Sequence, residues 1–188
     1  MKAWHFLHED RRLGYRDGRV VEPGQTITVD VDPELCVAGL HASVRALDAL
    51  RYAPGPVVCR IVLGGTIVRG DDKIAGTERT CLWMYDATPV LRAWSRRCAL
   101  DVIRLWDAPE VVVRYLKTGD ESIRDAAWDA ARAAWDAARA AACAAARDAA
   151  RDAAWDAAWA AAWDAAWDAA REKQARRLGA MLAAGRPR

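Results

Sequence analysis

From residue 121 to residue 178 the chain contains no glycine and no proline, and it advances on a four-residue beat of Ala, Trp, Asp and Arg. Alanine is the strongest helix former and arginine and leucine follow closely, so a helix is the expected form of the whole stretch. At about 1.5 Å per residue it would measure about 85 Å. A step of four residues advances about 400°, so each repeat drifts about 40° around the helix. Trp155, Trp159, Trp163 and Trp167 therefore fan over an arc of about 120°, each an i,i+4 neighbour of the next. Trp128 and Trp135, seven apart, share a narrower face. A coiled-coil seam needs a period of about 3.5, or about 3.67 for the right-handed kind, and a period of four fits neither. A simple two-stranded rod is not expected.

Each indole can bury about 150–250 Å², so a row of them must be covered by the rest of the chain, a second copy or another protein. Asp129, Asp136, Asp148 and Asp168 each precede an arginine by three residues, in Arg132, Arg139, Arg151 and Arg171, which gives weak surface pairs. Arg151 and Arg171 also stand where they can cap the aromatic row by cation–π contact. Expansion of a short GC-rich coding unit accounts equally for such a repeat. That origin would not remove the need to bury the indoles.

With 188 residues and a formal charge of +2, the chain is long enough for one domain with an extension or for two small ones. Acidic and basic residues nearly balance within 121–178, which argues against a stalk for nucleic acid, since that would carry a basic stripe. The five cysteines (Cys36, Cys59, Cys81, Cys98 and Cys143) form no C-x-x-C pair, and most lie in apolar surroundings. They read as reduced, buried thiols of a cytoplasmic protein. The opening residues lack the apolar core of a signal peptide, and the Ala-rich run 140–146 is too short to span a bilayer. No membrane association is expected.

Along the chain, residues 2–7 read as a strand, and Asp17-Gly18 and Pro23-Gly24 as turns. Residues 25–31 alternate as a half-buried strand. Ser43 reads as the N-cap of a helix that Pro54-Gly55-Pro56 ends. Residues 57–63 form an apolar strand, Gly64-Gly65 a turn, 66–69 a returning strand, and 74–85 a further extended segment. Thr88-Pro89 opens a helix whose stripe of Leu91, Trp94, Cys98, Val102 and Leu105 should pack on the β-domain. A shorter helix covers 110–116, and Thr118-x-x-Glu121 reads as a capping box for the long one. The expected fold class is α+β: a small β-rich head (1–86) with one internal helix, two buttressing helices (87–119), a long Ala/Trp-rich helix (120–180) and a flexible tail (181–188).

The chemistry-bearing residues are few. His5, His8, Cys36 and His41 are metal-ligand types, but the odd offset from His5 to His8 puts them on opposite faces of a strand, so no metal site is expected. Phosphate-loop, dinucleotide, zinc-protease and hydrolase-elbow motifs are absent, and no cofactor is expected. Asp71-Asp72-Lys73 reads as a solvated turn. The order Gly39-Leu40-His41-Ala42-Ser43, a helix, Tyr52-Ala53-Pro54-Gly55 and then VVCRIVLGG resembles the core of ADP-ribosyltransferases. That resemblance implies His5 as the nicotinamide-site histidine, Ser43 or Tyr52 as the second-motif residue and Glu78 as the catalytic acid. His41 stands where an aromatic residue is usual, and no H-G-T or H-G-S follows His5.

A second resemblance covers nearly the whole chain. Met1-Lys-Ala-Trp-His-Phe6, Gly39-Leu-His-Ala-Ser43, Tyr52-Ala-Pro-Gly55, Val58-Cys-Arg60, Asp71-Asp-Lys73, Thr77-Glu-Arg79 and Leu82-Trp83 are similar to an uncharacterised family of small proteins of tailed phages and bacterial genomes. Its members continue into Ala-rich helical tails and close near a segment like Lys173-Gln-Ala-Arg-Arg-Leu178. The resemblance implies a phage or prophage accessory protein and names no activity. The combined expectation is a non-enzymatic protein that assembles with itself, or with a host or phage protein, through Trp128, Trp135, Trp155, Trp159, Trp163 and Trp167. An ADP-ribosyltransferase-like head with an oligomerising helix is the alternative.

Overall fold

The computed structural model describes residues 1–14, 17–149 and 156–185, the side chains of 141–166 excepted. Its strands are β1 (Lys2–Leu7), β2 (Thr26–Thr28), β3 (Leu40–Ala42), β4 (Val57–Arg69) and β5 (Ile74–Asp86), and its helices are α1 (Ala46–Arg51), α2 (Thr88–Val102), α3 (Glu110–Thr118), α4 (Arg124–Ala149) and α5 (Asp156–Ala184). The fold is α+β. The chain divides into two compact units: Met1–Leu91 with Glu172–Arg188, and Arg92–Arg171. The second unit is thus an insertion between two segments of the first.

All strand pairings in the first unit are antiparallel, in the order β1-β4-β5-β2, with β3 also on β5. Just past β3, Ser43 and Trp4 exchange backbone hydrogen bonds of 2.8 and 2.9 Å. This bridge returns the chain to the free edge of β1, so β1, β4, β5 and β3 form a closed ring of pairings. Closure satisfies edges that would otherwise offer themselves to another strand. Alternation along β4 buries Cys59, Ile61 and Leu63 on the inner face, where they join Leu13, Val21, Ile27 and Cys81. On the opposite face Trp4, Arg60, Trp83 and Tyr85 form a row: the Trp4 and Trp83 rings meet edge-on at 5.8 Å, Trp83 stacks on Tyr85 at 5.9 Å, and the Arg60 guanidinium lies 4.5 Å above Trp4.

Several expectations are corrected here. Gly64-Gly65 is not a hairpin turn. β4 runs through it as a bulge, and the reversal comes at 70–73, closed by a 2.9 Å bond from the Gly70 N–H to the Lys73 carbonyl. Gly65 takes φ +67, and a side chain there would collide with Thr77, so the glycines serve the bulge. Ser43 does not cap α1. The helix begins three residues later behind Arg45, because Ser43 is held in the bridge to Trp4. The strand expected over 25–31 is only three residues long.

The tail expected from 181 is helical to Ala184. Ala175, Leu178 and Leu182 are buried at helical spacing, and Leu182 is fully buried. Tyr85 donates to the Leu182 carbonyl at 2.8 Å, and Arg45 reaches the Glu172 carboxylate at 3.0 Å. The last turns of α5 are therefore part of the head.

In the second unit, α2 from Arg92 onward groups with the other helices rather than with the β-domain, and no α2 residue is buried. α3 ends at Gly119, whose left-handed φ of +70 lets its N–H reach the Tyr115 carbonyl at 2.7 Å. The capping box expected at Thr118 is absent. Instead Asp120 accepts from the Ser122 N–H at 2.9 Å and opens the single 3-10 turn that leads into α4. Val112 and Ala127 are buried where α3 packs on α4. The long helix is described as α4 and α5, with 150–155 outside the described residues.

Candidate functional site

Two side-chain clusters and one aromatic surface contain the residues able to bind or react. The first cluster lies inside the head. Arg79 pairs with Leu63 and Ile27 across the sheet and is 5% exposed, and its guanidinium donates to the His41 carbonyl at 2.9 Å. Burial lowers its pKa to about 10, which leaves it charged near neutrality. His5, opposite Cys59 in the ladder, is held well below its usual pKa, first by desolvation and then by the Arg79 charge and His41. Desolvation also lowers His41, whose Nε2 accepts from the Cys36 N–H at 3.0 Å. Cys59 and Cys81 complete the group. The interaction between the two thiols, together with burial, raises Cys59, while the same interaction and the Arg79 charge lower Cys81.

The second cluster is on the surface where α1, the 70–73 turn and the loop before β3 converge. Tyr52 donates to Asp72 at 2.5 Å, and the Lys73 ammonium sits 4.0 Å from the Tyr52 ring centre and 3.1 Å from the Cys36 sulfur. The Tyr52 hydroxyl holds Asp72 below the ordinary carboxylate range, and the contacts with Cys36 and Tyr52 raise Lys73 to about 12. Cys36, expected to be buried, is exposed and adopts φ +66, a conformation uncommon outside glycine. The Asp71-Asp72-Lys73 turn is thus ordered by Tyr52 and by Arg51, 3.6 Å from Asp72.

The residues implied by the transferase resemblance do not converge. His5 is in register with Cys59, and Glu78 with Gly64. Those β4 positions are five apart, about 17 Å along the strand, and the odd offset points them to opposite faces. Glu78 is exposed, whereas Ser43 is buried beside Trp4 and Tyr52 belongs to the surface cluster. Among the described residues no group of three or more His, Cys, Asp or Glu side chains could hold a metal ion.

Of the six tryptophans expected to make the interaction surface, three have described side chains, and all are exposed: Trp128 at 72%, Trp135 at 61% and Trp167 at 65%. The Arg139 guanidinium lies 5.5 Å from the Trp135 ring, so it covers an indole by cation–π contact, a role read from the sequence for Arg151 and Arg171. Trp155 and the side chains of Trp159 and Trp163 lie outside the described residues. No described helix is long and apolar enough to cross a membrane.

Arg79 and the Cys59–Cys81 pair were missed by sequence reading. Arg79 sits one residue from Glu78 and inherits the inner face, a placement visible only once the β4–β5 register is known. The cysteine pair is hidden by the irregularity at Leu82, which breaks the simple alternation of β5.

No curated protein and no solved structure matches the chain. The model of a domain of unknown function (DUF7666) matches residues 1–93, which span every strand of the ring and the start of α2. The head of this protein is thus similar to that uncharacterised domain.

Proposed function

We propose that the protein is a non-enzymatic assembly or adaptor protein whose inserted helical arm makes the contacts. The observation that carries this reading is the exposure of Trp128, Trp135 and Trp167 on helices that are otherwise mostly alanine. Tryptophan is the residue type most enriched at binding hot spots, and large apolar side chains left in water cost about 1.5–3 kcal/mol each relative to burial. Alanine around them lets a second backbone approach closely. The arm's balanced charge favours a protein partner over nucleic acid, and the simplest such partner is a second copy of the chain. The likeness to phage and bacterial proteins supports a phage or prophage accessory role in the bacterial cytoplasm. A transferase reading has less support, because His5 and Glu78 share no face of the sheet.

Sedimentation velocity of the full chain over a range of concentrations tests this. Self-assembly predicts a mass that rises in multiples of 20.7 kDa. A monomer at every concentration would contradict self-assembly and leave the adaptor role dependent on a foreign partner.

A further inference from the structure

The surface cluster is not used by the assembly reading, and it sets two reactive groups from separate loops against each other. Glu34 and Ala38 exchange backbone hydrogen bonds of 3.0 Å, so residues 35–37 form a tight turn with Cys36 at its exposed tip. The Cys36 N–H is tied to the His41 ring at 3.0 Å, and the residue is held at φ +66. Leu35 packs over the neighbouring 70–73 turn so closely that a Cβ on Gly70 would lie 2.7 Å from it. These contacts seat the two turns side by side, and the Lys73 ammonium reaches the Cys36 sulfur at 3.1 Å. The Tyr52 ring also holds Lys73, with the ammonium 4.0 Å from the ring centre, and Tyr52 is fixed in turn by Asp72. The other two cysteines of this compact unit, Cys59 and Cys81, are core residues only 1% exposed. The nucleophile presented to the exposed thiol is therefore an amine and not a second thiol.

We propose that Cys36 and Lys73 are a peroxide-responsive pair that closes to a sulfur–nitrogen (sulfenamide) bond between the two turns. The Cys36 sulfur attacks hydrogen peroxide first. One oxygen passes to the sulfur, the O–O bond breaks and water leaves, which gives a sulfenic acid on Cys36. Exposed thiols beside a cationic side chain are the ones that such oxidants select. Lys73 then gives one proton to solvent, and its nitrogen attacks the sulfenic sulfur. The S–O bond breaks, and the departing hydroxide takes a second proton from the nitrogen and leaves as water. The sulfur loses two electrons in all, and the peroxide is reduced to two waters. The contact with Cys36 is the first cause of the raised pKa of Lys73, about 12, so conversion of the sulfur to the sulfenic acid eases release of the amine proton. Closure joins the 35–37 turn to the 70–73 turn and removes one positive charge, so Lys73 gives up its ammonium contact with the Tyr52 ring and its attraction to Asp72. The charge that this surface presents then depends on peroxide.

The test is treatment of the folded full chain with hydrogen peroxide, removal of the oxidant with catalase, and then intact mass and peptide mapping. Closure predicts a single chain lighter by two hydrogens, a linked peptide that joins Cys36 to Lys73, and recovery of both residues with dithiothreitol. K73R keeps the charge beside the sulfur but lacks the amine, so its Cys36 should stop at the sulfenic acid and be trapped by dimedone. The proposal is overturned if Cys36 of the unsubstituted chain is carried to the sulfinic acid, or into a Cys36–Cys36 dimer, with Lys73 unlinked. It is equally overturned if Cys36 remains a thiol under conditions that oxidise N-acetylcysteine in the same solution. Should K73R fail to fold, the map of the unsubstituted chain decides between these outcomes alone.

Discussion

The Tyr85 hydroxyl donates to the backbone carbonyl of Leu182 across 2.8 Å, joining the last strand of the head to the last turns of the chain. Leu182 and Leu178 are fully buried beside this bond, and Gly185 lies against Tyr85 and Val90 so closely that a side chain there would need them to move. The domain that the family model covers ends at residue 93, yet the C-terminal helix completes its packing. The segment from Glu172 onward is therefore part of the head.

Leu182→Ala should destabilise the head by about 2–5 kcal/mol, the range for removing a fully buried leucine side chain. Deleting residues 172–188 should cost more, because it uncovers Leu178, Leu182 and Ala175 contacts together. Urea unfolding followed by Trp fluorescence measures both. Equal stability of the deletion and the full chain would show that the helix is not part of the head.

Arg45 should contribute unequally to its two partners. It makes a two-pronged contact with the buried Asp48, at 2.7 and 3.1 Å, and a single contact with the half-exposed Glu172. Arg45→Met leaves the Asp48 carboxylate without its cation and should cost about 1–3 kcal/mol. Glu172→Gln removes a water-screened pair and should cost less than about 1 kcal/mol. Chemical denaturation of the two variants gives the order directly.

Stability should fall as the pH drops below about 6.5, the ordinary histidine value. His5 and His41 have lowered pKa values in the folded head, so between those values and 6.5 the unfolded chain binds more protons. Excess protonation of the unfolded state makes stability rise with pH in this window and decline as the solution is acidified. His5→Gln should flatten the dependence, as measured by the thermal midpoint between pH 7.5 and pH 5.

Gly65→Ala should destabilise the head by more than about 1 kcal/mol, since the residue combines φ +67 with a Cβ position only 1.9 Å from Thr77 Oγ1. Gly14→Ala, in open space with no such φ, should change little. The pair of thermal melts separates backbone strain from the general cost of replacing glycine.

Most strands and helices could be read from the sequence because apolar runs, turn residues and helix starts are local signals. Ile74 to Tyr85 reads as an extended segment, and Thr88-Pro89 sits at a true helix start. What could not be read depends on long-range pairing. Gly64-Gly65 signals a turn equally well in a hairpin or a bulge, and only Thr77 and Glu78 across the ladder decide between them. Ser43 is a good N-cap residue, but its backbone is held by Trp4, far away in the sequence. Leu178 and Leu182 follow the Ala/Trp repeat so directly that nothing local marks them as head residues. The exposed tryptophans were the most legible part of the candidate site, because their four- and seven-residue spacing needs no tertiary context.

The most direct test of the central claim is the solution mass, by light scattering at matched concentrations, of the full chain and of a variant carrying W128A, W135A and W167A. All three positions are exposed on helices, so alanine should leave the fold intact, and circular dichroism verifies this. Assembly through the arm predicts an oligomer for the unmodified chain and a shift towards 20.7 kDa for the variant. An oligomer of unchanged mass in the variant would contradict it, as would a monomer in both.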